Sequence, residues 1–245
     1  MYRFNLYLAF FCLITHSMKG DEFCFYNPQH SHFYIGVDAG FCTGLGHADR
    51  SIDSGAGNFI LGHSARPHSG HHGGFNLGYR WSCLLRTDFS YTALRPNSYQ
   101  WKGDPLTGPV SDFNAKLKSD LWLANIYFHL NGFCCAFKWI DPYITGGIGY
   151  VYNLLNDIKQ FSGGADSSLV ANIASRGFSN IGGRLGIGFL KYFGNWIFDF
   201  GFHGNYLGRI TSGNFQSNGL QQTIGPFNFK NNWIGTLFFG LKYGF

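Results

Sequence analysis

The sequence predicts an all-β fold: an antiparallel up-and-down transmembrane β-barrel of about eight strands, with four long extracellular loops and short periplasmic turns. Three observations carry that expectation. From residue 33 onward the apolar signal has period two, which puts alternate side chains on opposite faces of a strand. The connections alternate between long and short, as in barrels whose long loops gather at one rim. The apolar face of each segment is matched by a face of Gly, Arg, Asp, Asn, Ser, Thr and Lys. A soluble eight-stranded barrel has the opposite arrangement, apolar inside and wet outside.

Composition agrees. The chain of 245 residues holds 35 Gly, 27 Phe and 14 Tyr, with only 13% charged residues, so much aromatic surface needs an apolar medium and a helical core is disfavoured. No Pro/Ser-rich linker or block of like charge divides it, and it reads as a single domain. Ahead of that domain, Arg3 precedes the apolar run Leu6 to Ile14 and the polar and small stretch Thr15 to Gly20. About nine apolar residues fall far short of the roughly 20 of a spanning helix, so residues 1–20 read as a signal peptide and 21–32 as a periplasmic lead-in. Residues 33–245 are the barrel domain. Without a long apolar helix, a closed barrel is the only form in which such a chain satisfies its backbone inside a bilayer.

The segments follow in order. The first sets Phe33, Ile35, Val37, Ala39 and Phe41 against Tyr34, Gly36, Asp38 and Gly40; the second sets Phe75, Leu77, Tyr79 and Trp81 against Asn76, Gly78, Arg80 and Ser82. After a tight turn near Cys83, Leu85, Thr87, Phe89 and Tyr91 oppose Arg86, Asp88, Ser90 and Thr92. The fourth is less regular, with Trp122, Ala124, Ile126 and Phe128 opposite Asn125, Tyr127 and His129. The fifth runs over 143–152, the sixth over 181–189 with Arg184 on its polar face, and the seventh over 196–205 with Asp199 and His203 there. The last sets Leu237, Phe239, Leu241, Tyr243 and Phe245 against Lys242 and its neighbours. A ten-stranded barrel remains open if the first long loop hides a hairpin around Phe59-Ile60-Leu61.

At three places the sequence resembles the small eight-stranded outer-membrane barrels of Gram-negative bacteria, the group that includes the barrel domain of outer-membrane protein A. They are the terminal Leu241-Lys242-Tyr243-Gly244-Phe245, the glycine-rich Pro142 to Tyr150, and Gly73-Gly74-Phe75-Asn76-Leu77-Gly78-Tyr79. The resemblance implies an outer-membrane location, handling by periplasmic chaperones and the barrel-assembly machinery, and an assembly signal in Leu241, Tyr243 and Phe245. Function varies too widely within that group to be carried over.

Projected inward, Asp38, Arg80, Arg86, Asp88, Arg184, Asp199 and Lys242 form a near-balanced set of charges. In so narrow a lumen they need partners, and an internal ion-pair network is expected in place of a water channel, the pore being the alternative. His63, His68, His71 and His72, in the first long loop, are candidate ligands for zinc, copper or nickel, weighed against a plain solvated loop. The histidines offer a weak case for catalysis: His129 and His203 face inward without a serine at strand spacing, and Ser64 and Ser69 follow His63 and His68 only in a loop. No cofactor is expected.

Cys24, Cys83, Cys134 and Cys135 fall at the periplasmic end, where a disulfide from Cys83 to Cys134 or Cys135 competes with free thiols; Cys42 stands apart. The net charge of +5 is unclustered and no nucleic-acid motif is present. Arg50, Arg66, Arg95, Lys102, Lys116 and Lys118, near the long loops, suit lipopolysaccharide phosphates. The expected role is a monomeric, non-enzymatic surface barrel whose loops meet a host or surface ligand, with a small pore and a lipid A-modifying enzyme as alternatives.

Overall fold

The computed structural model describes residues 32–45, 49–54, 57–60, 66–96, 98–102, 111–130, 140–162, 169–213, 215–216, 223–224 and 226–245. The signal peptide and nearly all of the lead-in expected at 1–32 lie outside these residues.

Eight long strands form the wall: β1 (Phe33–Gly44), β2 (Gly70–Arg80), β3 (Leu85–Pro96), β4 (Ser111–His129), β5 (Asp141–Ser162), β6 (Arg176–Phe193), β7 (Trp196–Thr211) and β8 (Phe227–Gly244). Each pairs antiparallel with its chain neighbours. The last then pairs with the first, from Tyr34 opposite Gly244 to Gly44 opposite Ile234. The ring is therefore closed at the level of Tyr34 to Gly44, where every strand has a neighbour on both sides.

The short connections share one end. Ser82 caps the β2–β3 turn by accepting hydrogen bonds from Leu84 and Leu85 N at 3.2 and 3.1 Å. Between β6 and β7, Gly194 takes φ 59°, a left-handed backbone that a side chain would oppose. Cys83 in the β2–β3 turn is disulfide-bonded, and its partner lies outside the described residues, as do Cys24, Cys134 and Cys135.

The first long loop does hide a hairpin, Asp49–Ser54 against Gly57–Ile60. It adds to the projecting end of β8, Ile52 opposite Phe227, and does not enter the ring. Eight strands, not ten, enclose the bore among the described residues.

The strands are longer than their apolar patterns suggest, because the pattern changes phase partway up the wall. On β4 one continuous inward row runs Phe113, Ala115, Leu117, Ser119, Leu121, Leu123, Asn125, Tyr127, His129, all buried. Its outward row runs Lys116, Lys118, Asp120, Trp122, Ala124, Ile126, Phe128. Below Leu123 the outside is apolar and the inside carries Asn125, Tyr127 and His129; above Trp122 the outside is charged and the inside, Ser119 apart, is apolar. The lower half is built for lipid and the upper half for water, on one uninterrupted strand.

On β8 the outward row from Tyr243 to Trp233 spans ten residues. At about 3.3 Å per residue and a tilt of roughly 40°, it covers about 25 Å along the barrel axis, the height of a bilayer-facing apolar band. Trp81, Phe193, Trp196, Tyr243 and Phe245 ring the turn end of this band, and Trp122, Tyr150, Tyr152 and Trp233 ring the other. Ile181, at 76% exposed, shows how little of the band is covered by protein.

Above Gly183 and Tyr206 the ladder between β6 and β7 stops. Gly208, at φ 72°, bulges β7 there. The Asn180 side chain replaces the missing ladder: its Nδ2 donates to Leu207 O and Arg209 O, at 3.2 and 2.6 Å, and its Oδ1 accepts from Arg209 N at 3.3 Å.

Candidate functional site

Asp199 on β7 organises the lower bore. Its Oδ2 lies 2.6 Å from Lys242 Nζ on β8 and 3.9 Å from Arg86 Nη2 on β3, and its Oδ1 accepts the Tyr143 hydroxyl at 2.6 Å. Arg86 is fully enclosed by aromatic faces, with its guanidinium 3.9 Å from the Tyr127 ring centroid, 5.2 Å from Tyr143 and 5.3 Å from Tyr34. Among the described residues its Nε, Nη1 and Nη2 have no hydrogen-bond acceptor, so cation–π contacts and the Asp199 charge stand in for one. Space for this cage comes from inward glycines. A Cβ on Gly78 would collide with the Tyr34 ring, and one on Gly188 with the Tyr143 hydroxyl.

Three further clusters complete the polar half. Asp88 accepts from Tyr34 OH at 3.1 Å and from Asn125 Nδ2 at 2.7 Å. Asp38 accepts from Asn76 at 3.4 Å and lies 3.8 Å from His72 Nε2, while Arg184 reaches from β6 to Thr92 on β3 and bonds Asn205, both at 2.8 Å. At the turn end Asp141 holds His129 at 2.8 Å and faces Arg80 at 3.7 Å, and Arg80 donates to the Tyr192 hydroxyl at 2.6 Å.

All seven inward charges expected from the sequence thus face the bore. The sequence reading missed Asp141, whose inward parity matches Tyr143 but which lies before Pro142, ahead of where the apolar pattern starts. The cage tyrosines Tyr34, Tyr127 and Tyr143 stood on the polar faces in plain view; a search for charges passes over them.

The upper bore is filled by apolar side chains that strand patterning did not reveal, including Leu94, Leu117, Leu121, Leu155, Leu207 and Ile210. Phe113 on β4 meets Phe227 on β8 at 5.2 Å between centroids, a contact across the full width of an eight-stranded ring. Tyr99, from the connection between β3 and β4, packs on Phe229 at 5.1 Å and donates to Asn232 Oδ1 at 2.7 Å. Burial holds the Tyr99 hydroxyl neutral by pushing its pKa upward.

The loop histidines are not brought together. His71 and His72 belong to β2 and not to a loop, so alternation sends His71 out and His72 into the bore. His68 bonds Gln100 at 3.0 Å, and His63 lies outside the described residues. Among the described residues no group of three His, Cys, Asp or Glu is disposed to hold a metal. His129 is wholly buried in the Asp141 cluster and His203 stacks on Phe238 at 4.3 Å. Cys42 is a free, buried thiol. Tyr243 and Phe245 of the terminal segment point outward, with Leu241 on the same face.

On the outer wall above the aromatic ring, Arg95 pairs with Asp120 at 2.7 Å and Lys116 with Asp157 at 2.9 Å. Lys118 is exposed beside them. The side chains of Arg50, Arg66 and Lys102 lie outside the described residues. The hydrogen bond and charge of Lys116, with Lys159 and Lys118 nearby, hold the Asp157 carboxyl below the usual carboxylate range.

No protein-family model and no curated protein matches the sequence. Solved structures do resemble it. The outer membrane protein OprG from Pseudomonas aeruginosa aligns over 89% of this chain and 100% of its own, at 13% identity and a TM-score of 0.54. The outer membrane protease OmpT from Escherichia coli aligns over 91% of this chain and 100% of its own, at 9% identity and 0.50. Neisserial surface protein A aligns over 87% and 97%, at 19% identity and 0.44. At these identities the likeness is one of fold: the chain has the architecture of the small outer-membrane barrels.

Proposed function

We propose that this protein is a non-enzymatic barrel of the Gram-negative outer membrane, sealed along its axis, whose four long loops carry its interactions with a host or other surface ligand. The membrane placement is supported by the bare apolar band of about 25 Å between two aromatic rings, a surface that water would not tolerate. The seal rests on one observation above all: the Phe113–Phe227 contact bridges the bore, with Tyr99 and Phe229 packed beside it. A polar network in the lower half alone would be compatible with a wetted pore; the apolar tier above it supports the sealed reading instead.

The non-enzymatic reading is supported by where the histidines sit. His129 is 0% exposed, so no substrate reaches its ring, and His203 is covered by Phe238. Periplasmic chaperones and the barrel-assembly machinery are the partners in biogenesis, and a ring closed between the last strand and the first suits a monomer.

Planar-bilayer recording of the purified, refolded chain tests the seal. The expected result is no stable conductance from the native sequence, and openings from a Phe113→Ala/Phe227→Ala/Phe229→Ala variant. Stable, graded conductance from the native sequence would sink the reading in favour of a passive pore.

A further inference from the structure

Just above Trp233, β7 and β8 lose their regular register at one height. β7 holds one extra residue between the pairs Tyr206–Trp233 and Gly208–Asn232, and β8 holds one between the latter and Ile210–Phe229. Gly208 takes φ 72° and Asn231 φ 58°, so two left-handed residues stand side by side on adjacent strands. Beyond these kinks the strands continue as a small sheet of their own. Ile210 and Thr211 pair with Phe229 and Asn228, and Phe227 to Lys230 pair with Ile52 to Asp49 of the first-loop hairpin. Among the described residues neither side of this sheet is laddered to the wall. At one side Gly57–Ile60 pairs only with Asp49–Ser54. At the other no ladder joins β7 to β6 above Tyr206. There Asn180 Nδ2 donates to Arg209 O at 2.6 Å, its Oδ1 accepts from Arg209 N at 3.3 Å, and Gly213 N donates to Ala174 O at 3.1 Å.

The facing part of the upper wall is held differently. There β4 is laddered to Tyr99–Lys102 on one side and to β5 on the other. The two parts meet across the bore through Phe113 on Phe227 and Tyr99 on Phe229. Asn232 joins the kinks to this seal. Its Nδ2 donates to Gly208 O and Phe229 O, both at 2.9 Å, and its Oδ1 accepts the Tyr99 hydroxyl at 2.7 Å. The small sheet is thus fastened by side-chain bonds and ring contacts, and it can lift without unpairing a ladder. Residues that absorb a φ/ψ change at the base of such a unit are what a hinge requires.

We propose that the upper ends of β7 and β8, with the first-loop hairpin, form one hinged flap that turns on Gly208 and Asn231 and closes the upper bore against β4 and Tyr99. The flap carries the hairpin of the first loop and both ends of the fourth. A surface ligand that grips either loop therefore pulls directly on Phe227 and Phe229, whereas one that grips the second or third loop does not. Lifting the flap uncovers the apolar inner face of β4 and β5, including Leu117 and Leu155, while the polar half below stays filled. This deepens the reading proposed above and rests on it for the closed state, assigning the loop interactions to a moving part.

The test is amide hydrogen exchange on the full-length chain refolded in detergent micelles, with heat-modifiable migration selecting the barrel first. In the native chain the paired amides of the hairpin, of Ile210 and Thr211 and of Asn228 to Lys230 should open at one common rate, faster than those of Ala115 to Leu117 on β4. Tyr99→Phe keeps the ring on Phe229 and removes the bond to Asn232. It should speed exchange of the whole flap about tenfold, hairpin amides that it does not touch included, and leave β4 and β5 unchanged. Asn180→Ala should give the same pattern from the opposite side, so the test survives a failure of either variant to fold. The proposal is overturned if hairpin and β8 amides open independently in the native chain, if each variant acts only on the residues it touches, or if β4 opens together with the flap. Stable conductance from a native chain whose flap opens as a unit would sink the sealed reading and leave the flap standing; a silent barrel with unlinked exchange would do the reverse.

Discussion

The lower and upper halves of the bore are lined by the same eight strands yet are held by different forces. Below, Asp199, Lys242 and Arg86 form a buried charge cluster boxed in by tyrosines. Above, Phe113, Phe227, Phe229 and Leu207 make an ordinary apolar core. The reason lies outside the wall. Where lipid surrounds the barrel, burying apolar groups inside gains nothing over leaving them in the bilayer, and the interior is specified by directional polar contacts. Where water surrounds it, moving apolar groups inward is favourable at about 25 cal/mol per Å². One strand such as β4 obeys both rules by switching the chemistry of each face near Trp122.

That contrast can be broken most forcefully below. Asp199→Ala strands Lys242 and Arg86 without their shared carboxylate, and removing one partner of a buried pair costs about 3–5 kcal/mol. Urea unfolding of the refolded barrel, followed by heat-modifiable migration, should show that loss or a failure to fold. In the upper half Phe229→Ala should cost about 3 kcal/mol through the cavity it leaves, with the turn-end cluster intact. If Asp199→Ala were as mild as a surface change, the lower half would owe its stability to backbone closure and not to its charges.

Overpacking sharpens the comparison. Gly188→Val drives a side chain against the Tyr143 hydroxyl that serves Asp199, and a loss of about 1–3 kcal/mol is expected on the same assay. Asn180→Ala removes the side chain that joins β6 to β7 above Gly183, where no ladder runs. We expect about 1–2 kcal/mol, seen as faster amide exchange at Leu207 and Arg209 while the lower strands stay protected.

The smallest effect concerns Asp157. Its carboxyl is depressed in the folded state, so the Lys116 pair contributes above the unfolded value, near pH 4, and is lost as the pH falls through the lower folded value. Both partners are more than half exposed, and the contribution is small. The urea midpoint of Asp157→Asn should therefore vary slightly less between pH 7 and pH 3 than that of the native chain.

Period-two alternation, the sorting of long and short connections and the polarity of the inner face determined the barrel, its eight strands and the inward direction of Asp38, Arg80, Arg86, Asp88, Arg184, Asp199 and Lys242. These are local properties: a side chain's face follows from parity alone. Three things were decided only by the tertiary structure. Strand ends were misplaced because a template with one fixed apolar face stops at Trp122, where the medium outside changes from lipid to water. The partners within the bore, such as Arg184 with Thr92 or Phe113 with Phe227, come from strands far apart in sequence, and only barrel geometry brings them together. His71 and His72, neighbours in the chain, were parted by the wall between them, because a strand that continued past its apolar pattern placed one on each side.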